Sequence, residues 1–115
     1  MRSEQIGPAA CADVSITVEI LPEAQRLIDE ADERWISEHG FDSLNPLLDE
    51  ILQTAELLRE NPEIGVVYLR GGFRHEVRRL LLRSGWHVYY QFLTNRGLVE
   101  IVAIWFENRG SGPPL

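Results

Sequence analysis

The sequence predicts an α+β fold of two layers, in which a pair of helices packs on one face of a β-sheet. Three observations predict it. Residues 14–20 alternate apolar and polar side chains, which is typical of a strand with one buried face. Residues 22–60 carry two apolar stripes at helical spacing. From residue 65 onward, short segments rich in β-branched and aromatic residues are separated by turns that contain glycine.

The length of 115 residues fits one domain with one hydrophobic core. Residues 1–13 show no periodicity and contain Gly7 and Pro8, so we expect a flexible leader followed by a single domain over residues 14–115. No apolar run reaches the roughly 18 residues that would span a bilayer. We therefore expect a cytoplasmic protein with no membrane partner.

The helical region reads as a hairpin of two antiparallel helices. Pro22 is placed at the first turn of one helix, and Gly40 is placed to end it. The second helix begins between Ser43 and Pro46 and stops at Asn61-Pro62, because proline cannot continue a helix. The short link between the two helices predicts that they lie side by side.

Four strand segments follow, at residues 65–69, 77–83, 86–92 and 98–106. The turns between them contain glycine, which favours consecutive hairpins and hence an antiparallel strand meander. Residues 98–106, LVEIVAIWF, are apolar at both parities, which indicates a strand covered on both faces. Together with the first strand, this order predicts an antiparallel sheet with the helical hairpin on one face.

The charge of the chain is divided between its two halves. Residues 1–65 carry 15 acidic and 4 basic groups, whereas residues 66–115 carry 3 acidic and 7 basic groups, within a net charge of −7. Every basic residue is arginine. The ammonium group of lysine, which often serves as a tunable acid or base, is therefore absent.

Arginines lie within the strand sequence VRRLLLR, residues 77–83. Strand alternation places Arg79 and Arg83 on one face of the sheet and Arg78 on the other. A guanidinium group cannot be buried under helices without a partner, so some of these side chains must emerge at an edge or on an open face. Two alternatives stay open: a cationic, aromatic-bordered surface for phosphate or carboxylate, or simple surface ion pairs. The first would include Arg70, Arg74 and Arg109, and the second would use Glu76, Glu100 and Glu107.

Sequence motifs for nucleotide phosphates, a nucleophilic serine elbow or a paired-histidine zinc site are absent. His75-Glu76 is the one pair that resembles metal ligands, and such a pair beside a turn is more often polar surface. We therefore expect neither a metal nor another cofactor.

Several segments together resemble the RelE/ParE toxins of type II toxin–antitoxin systems. They are VRRLLLRSGWHVYYQF at 77–92, VEIVAIWFENRGSGPPL at 99–115, the helix start Pro22-Glu23-Ala24, Trp35 on the first helix, and Asn61-Pro62 after the second. The order and spacing of these segments match the family over residues 14–115.

The resemblance implies a toxin that forms a hetero-oligomer with a cognate antitoxin. Members of the superfamily either cleave mRNA on the ribosome, as RelE does, or poison DNA gyrase, as ParE does. The resemblance offers Arg79, Arg83, Tyr90 and Arg109 as the active or target-binding set, with Tyr90 as a proton donor. Because arginine is too basic to shuttle protons and lysine is absent, we favour the ParE-like activity, which needs no catalysis, over the RelE-like endoribonuclease.

The chain departs from the family pattern after Trp105. Family members have histidine at the next position, where this chain has Phe106, and Glu107 places a negative charge near Arg109. A third hypothesis follows, in which toxicity has been lost and binding of the antitoxin remains.

Overall fold

The computed structural model describes residues 16–69 and 76–106. Two helices and five strands account for most of them. In chain order they are β1 (Thr17–Ile20), α1 (Pro22–His39), α2 (Pro46–Glu60), β2 (Val66–Leu69), β3 (Val77–Leu81), β4 (Trp86–Leu93) and β5 (Leu98–Phe106), with a 3-10 turn (Thr94–Arg96) before β5. The predicted α+β class is confirmed.

The strands form one sheet in the order β1-β5-β4-β3-β2. Strands β2 to β5 pair antiparallel, as the predicted meander requires. Strand β1 instead runs parallel to β5, so the sheet is mixed. The prediction of a fully antiparallel sheet missed this pairing because β1 and β5 are far apart in sequence, and parallel neighbours are joined by long crossovers that leave no local turn signal.

The helices begin and end where the sequence predicts. Pro22 opens α1, and the backbone N–H of Gly40, at φ 89°, donates to Ile36 O at 2.7 Å to close it. Helix α2 begins at Pro46, and the side chain of Asn45 accepts a hydrogen bond from Leu47 N at 3.0 Å. That bond satisfies one of the donors that a helix start leaves without an intrahelical partner.

The hydrophobic core lies between the helices and one face of the sheet. Ala24 and Ile28 of α1 and Leu47, Ile51 and Leu58 of α2 are buried there. The sheet contributes Val88, Tyr90, Val99, Ile101 and Ile104 to the same cluster. Strand β5 is buried on its other face as well, where Val102 and Ala103 pack with Val77 and Tyr89, so the prediction that this strand is covered on both faces is confirmed.

Strand β3 is shorter than its sequence suggests. It ends at Leu81, and Arg83 lies in the turn that leads to β4. The predicted alternation, which placed Arg83 beside Arg79 on one face, is therefore wrong for Arg83. The Leu82 N–H donates to Trp86 O at 2.7 Å, which closes the turn at Leu82 and takes Arg83 out of the strand.

In the part of the chain that the structure describes, no helix is long and apolar enough to cross a membrane. The expected leader, residues 1–13, lies outside the described residues.

Two neighbouring tyrosines on β4 are buried on opposite faces of the sheet. Burial raises the pKa of Tyr90 above its ordinary value of 10.0, because the charged phenolate loses its hydration. Burial also raises the pKa of Tyr89, and the positive charge of Arg79 opposes that rise. Since both pKa values are raised in the folded state, the folded chain holds these protons more tightly than the unfolded chain does.

Replacing Asn45 by alanine should lower the free energy of unfolding by about 1 kcal/mol, because the cap to Leu47 N is lost. Urea unfolding followed by circular dichroism measures the change. Gln53→Ala on the exposed side of α2, where the side chain donates a hydrogen bond to Asp49, is the control and should change the free energy by less than about 0.5 kcal/mol. Equal losses in the two variants would contradict the capping role.

The free energy of unfolding should fall as the pH rises above about 10. In that range the tyrosines of the unfolded chain lose their protons, whereas those of the folded chain, whose pKa values are raised, still hold them. Tyr90→Phe should flatten this alkaline loss in thermal unfolding measured between about pH 8 and 11. Thr54→Val removes another buried hydroxyl, which does not titrate, and should lower the melting temperature equally at each pH. If the melting temperatures of Tyr90→Phe and the wild type fall in parallel with pH, Tyr90 is not responsible for the alkaline loss of stability.

Candidate functional site

Arg79 lies on the face of the sheet that points away from the main core. Residues at alternate positions along the strands share this face, and it includes Tyr68 of β2, His87 and Tyr89 of β4 and Trp105 of β5. We call these five residues, Tyr68, Arg79, His87, Tyr89 and Trp105, the Arg79 face. They come from four adjacent strands.

Aromatic rings surround the guanidinium group on the Arg79 face. The Cζ atom of Arg79 lies 5.3 Å from the centroid of the Tyr68 ring, within the range of a cation–π contact. The rings of Tyr68 and Tyr89 meet edge to face, with centroids 4.8 Å apart. The His87 ring lies 6.1 Å from that of Tyr89. The strand register places Trp105 directly across from His87.

The positive charge of Arg79 is not neutralised by a carboxylate of the described residues. Among the described residues, the carboxylates form no ion pair with it, whereas Arg78 lies 3.8 Å from Glu76. Glu100 accepts a hydrogen bond from Gln91 at 2.7 Å. Within the described ranges, the alternative of simple surface pairing therefore fits Arg78 and not Arg79.

The far end of the same face is acidic. Glu100 of β5 lies in register with Glu19 of β1, so two carboxylates occupy neighbouring strands. An anionic ligand is repelled from this end and attracted to Arg79. The face is therefore polarised along the sheet.

Tyr90 does not join Arg79. It has no exposed surface and packs on the helix-facing side of the sheet, where its hydroxyl accepts a hydrogen bond from Gly65 N at 2.9 Å. Consecutive residues of a strand point to opposite faces, so Tyr89 takes the place beside Arg79. The predicted role of Tyr90 as a proton donor at that site does not fit this placement.

Arg83 lies apart from Arg79 as well. Its side chain lines a groove of about 420 Å³ beside α2, together with Asp49 and Glu50. Arg109, Arg70, Arg74 and Glu107 lie outside the described residues. Of the four predicted site residues, the described structure thus places one, Arg79, on the face of the sheet opposite the main core.

Phe106, at the position where the resembling family has histidine, lies on the helix side. Its ring meets that of Trp86 at 5.4 Å, and both rings line a cavity of about 360 Å³ with Trp35 and Leu47. The departure from the family pattern is therefore on the other side of the sheet from Arg79.

Sequence reasoning missed the aromatic partners of Arg79. Strand alternation puts His87 and Tyr89 on one face of their strand, but the length of the turn before Trp86 decides whether that face is the one that carries Arg79. The register Arg79↔Tyr89 follows from a turn that leaves Leu81 opposite His87. Tyr68 lies at an irregularity in the pairing of β2 with β3, which strand alternation does not predict.

Among residues 16–69 and 76–106, there is no group of three histidine, cysteine, aspartate or glutamate side chains placed to hold a metal ion. His75, half of the pair noted in the sequence, is not described. The arrangement of the Arg79 face suits anionic or aromatic ligands, because a guanidinium group pairs with phosphate oxygens and aromatic rings stack on bases.

No family model matches the chain, and no curated protein matches it. Solved structures do. The RelE toxin of E. coli in its free state, as a mutant with two arginines replaced by alanine, superposes with a TM-score of 0.56 at 14% identity, over 84% of this chain and 88% of that one.

Two toxin–antitoxin complexes contain similar chains. One is RelBE2 of Mycobacterium tuberculosis, with a TM-score of 0.54 at 18% identity, over 79% of this chain and 96% of that one. The other is the intact RelBE complex of E. coli, with a TM-score of 0.52 at 20% identity, over 83% and 100%. These structures do not distinguish the ParE-like branch from RelE. The chain has the fold of the RelE/ParE toxins, as the sequence predicted.

Proposed function

We propose that this protein is the toxin of a type II toxin–antitoxin pair and that it acts on single-stranded RNA bound to the Arg79 face. The observation that carries the proposal is the position of Arg79, a half-buried cation on the same side of the sheet as Tyr68, Tyr89, His87 and Trp105 and opposite the main core. The likeness in fold to RelE toxins supports it.

The Arg79 face offers both kinds of contact that single-stranded nucleic acid uses. Bases stack on aromatic rings without regard to sequence, and each stacked base contributes about 1–3 kcal/mol. Phosphate oxygens accept charge-assisted hydrogen bonds from guanidinium groups. Trp105 and His87 lie side by side on β5 and β4, on the same face of the sheet as Arg79, and we assign the stacking of a base to this part of the face.

His87 can supply acid–base chemistry that arginine is too basic to supply and that lysine, absent from this chain, would otherwise provide. Its imidazole lies on the same face of the sheet as Arg79. In the proposed reaction, His87 takes the proton of a ribose 2′-hydroxyl as that oxygen bonds to the adjacent phosphorus. The bond from phosphorus to the 5′ oxygen breaks, and this oxygen takes a proton from water. Arg79 stabilises the charge on the phosphate.

A cognate antitoxin is the proposed protein partner. Leu44, Leu48 and Leu52 form an exposed apolar stripe along α2 and the residues before it, with Leu44 92% and Leu52 68% exposed. An amphipathic helix fits such a stripe, and an extended segment can pair with an edge strand such as β2. The structural neighbours from E. coli and M. tuberculosis include complexes of toxin and antitoxin, which supports a hetero-oligomer.

A second candidate is binding of DNA gyrase without catalysis, which the sequence favoured. The net charge of −7 and the absence of lysine support it, since both weaken long-range attraction to ribosomal RNA. In this case the Arg79 face would bind protein. The third hypothesis is loss of toxicity through Phe106 and Glu107. Phe106 packs on Trp86, on the other side of the sheet from Arg79, which argues against its part in that loss, and Glu107 lies outside the described residues.

Arg79→Ala should weaken binding of a fluorescein-labelled single-stranded oligoribonucleotide by about tenfold to a hundredfold, since a hydrogen-bonded charge is lost. Expression of the variant alone should also spare cells that the wild type kills, as measured by viable counts. Arg59→Ala, which removes a surface cation paired with Glu56, is the control and should change neither result. Equal affinities for Arg79→Ala and wild type would refute RNA binding at this face.

His87→Gln should abolish RNA cleavage while leaving oligoribonucleotide binding within about threefold, because the base is removed and the stacking surface is largely kept. Primer extension on mRNA from expressing cells measures cleavage. His39→Gln, at the exposed end of α1, is the matched control. Intact mRNA under the wild-type protein, together with inhibition of gyrase supercoiling, would replace this proposal by the gyrase candidate.

A further inference from the structure

We infer that Arg78 and Tyr90 are positioning residues: from the helix-facing side of the sheet they hold the main chain at Gly65, and this places Tyr68 of β2 against Arg79 on the opposite face. The consequence for RNA rests on the proposed function, whereas the positioning itself is a property of the free protein.

The hold on Gly65 consists of hydrogen bonds to both of its main-chain polar groups. The Gly65 N–H donates to the Tyr90 hydroxyl at 2.9 Å, and the Gly65 carbonyl accepts from Arg78 Nη1 at 2.8 Å. Arg78 also donates to Glu63 O at 3.1 Å. Tyr90 is fully buried and the Arg78 side chain is 21% exposed, so the two bonds to Gly65 are largely shielded from competing water, whereas the bond to Glu63 O is exposed.

Gly65 fits this position because it lacks a side chain. A Cβ atom there would lie 2.9 Å from both Arg79 O and the Tyr90 hydroxyl oxygen, closer than real contacts allow. The main chain at Gly65 therefore lies directly against β3 and β4. Any larger residue would push β2 away from the sheet.

The hydrogen bonds to Gly65 supplement the few contacts that fix strand β2, which are its ladder with β3 and the packing of Tyr68. The strand has four residues, lies at the edge of the sheet and, among the described strands, pairs with β3. Its register with β3 shifts between Val67 and Leu69, which is where Tyr68 lies, and Val66 is 60% exposed. Edge strands of this kind open readily in native proteins. A fixed point one residue before β2 limits that opening.

The hydrogen bonds to Gly65 and the Arg79 face lie on opposite sides of the sheet. Arg78 pairs across the strands with Tyr90, and Arg79 pairs with Tyr89. Each Arg-Tyr pair occupies one face, because neighbouring strand residues alternate. The same stretch of β3 therefore contacts Gly65 on one side of the sheet and Tyr68 on the other. This explains how the buried Tyr90 can affect the position of Tyr68.

Hydrogen exchange by NMR on the free protein tests the positioning. Tyr90→Phe should raise exchange at Gly65 and along β2 by at least about tenfold, since a buried donor loses its acceptor. It should also shift the Tyr68 ring resonances toward those of an exposed tyrosine and leave exchange in β5 unchanged. Arg78→Met, which keeps the stem and removes the guanidinium, should act in the same direction.

Thr54→Val is the matched control, because it removes a buried hydroxyl that donates to Glu50 O within α2. It should lower stability without selective change in β2. If Tyr90→Phe and Arg78→Met leave exchange in β2 and the Tyr68 resonances unchanged, or raise exchange uniformly as a merely less stable protein would, the inference is overturned.

Oligoribonucleotide affinity links the positioning to function. Tyr90→Phe should weaken binding in the wild-type background and have no effect when Tyr68 is already alanine, because it acts through Tyr68. Equal weakening in both backgrounds would contradict action through Tyr68. If no variant and not even the wild type binds RNA, the proposed function fails, and the exchange results still decide the positioning.

Discussion

A guanidinium group cannot be buried without hydrogen-bond partners, and two consecutive arginines on a strand must point to opposite faces of the sheet. In this protein, Arg78 lies on the side of the sheet that carries Tyr90, where it donates to the carbonyls of Glu63 and Gly65. The other, Arg79, lies beside aromatic rings on the opposite face. One dipeptide thus supplies a structural anchor and an available cation, and the position of β2 follows from the first.

The layering of the fold places the Arg79 face on the side of the sheet opposite the main core. Both helices contribute to the core on the side that carries Tyr90, Val88 and Ile101, whereas Arg79 lies half-buried on the other side, above a smaller buried cluster. The rings of Tyr68 and Tyr89 then cover the small second cluster around Val77 and Ala103 while they border Arg79. A single set of aromatic side chains therefore stabilises the sheet and shapes the proposed binding surface.

Much of the fold could be predicted from the sequence because its signals are local. Alternation marked the strands, and Pro22, Gly40 and Asn61-Pro62 marked the helix ends. The parallel pairing of β1 with β5 could not be predicted, because nothing local specifies it. The site was predicted in part. Arg79 was recognised, but Tyr90 was chosen in place of Tyr89 and Arg83 was assigned to a strand. Both errors concern the turn at residues 82–85, which ends β3 and fixes its register with β4. The length of this turn cannot be predicted from the propensities of its residues.

Titration of the isotope-labelled protein with a single-stranded oligoribonucleotide, followed by NMR, tests whether RNA binds the Arg79 face. The resonances of Tyr68, Arg79, His87 and Trp105 should move first, and those of the leucine stripe on α2 should stay in place. Movement confined to α2 and the groove beside Arg83, or no movement of the Arg79 face at saturating RNA, would show that RNA does not bind there.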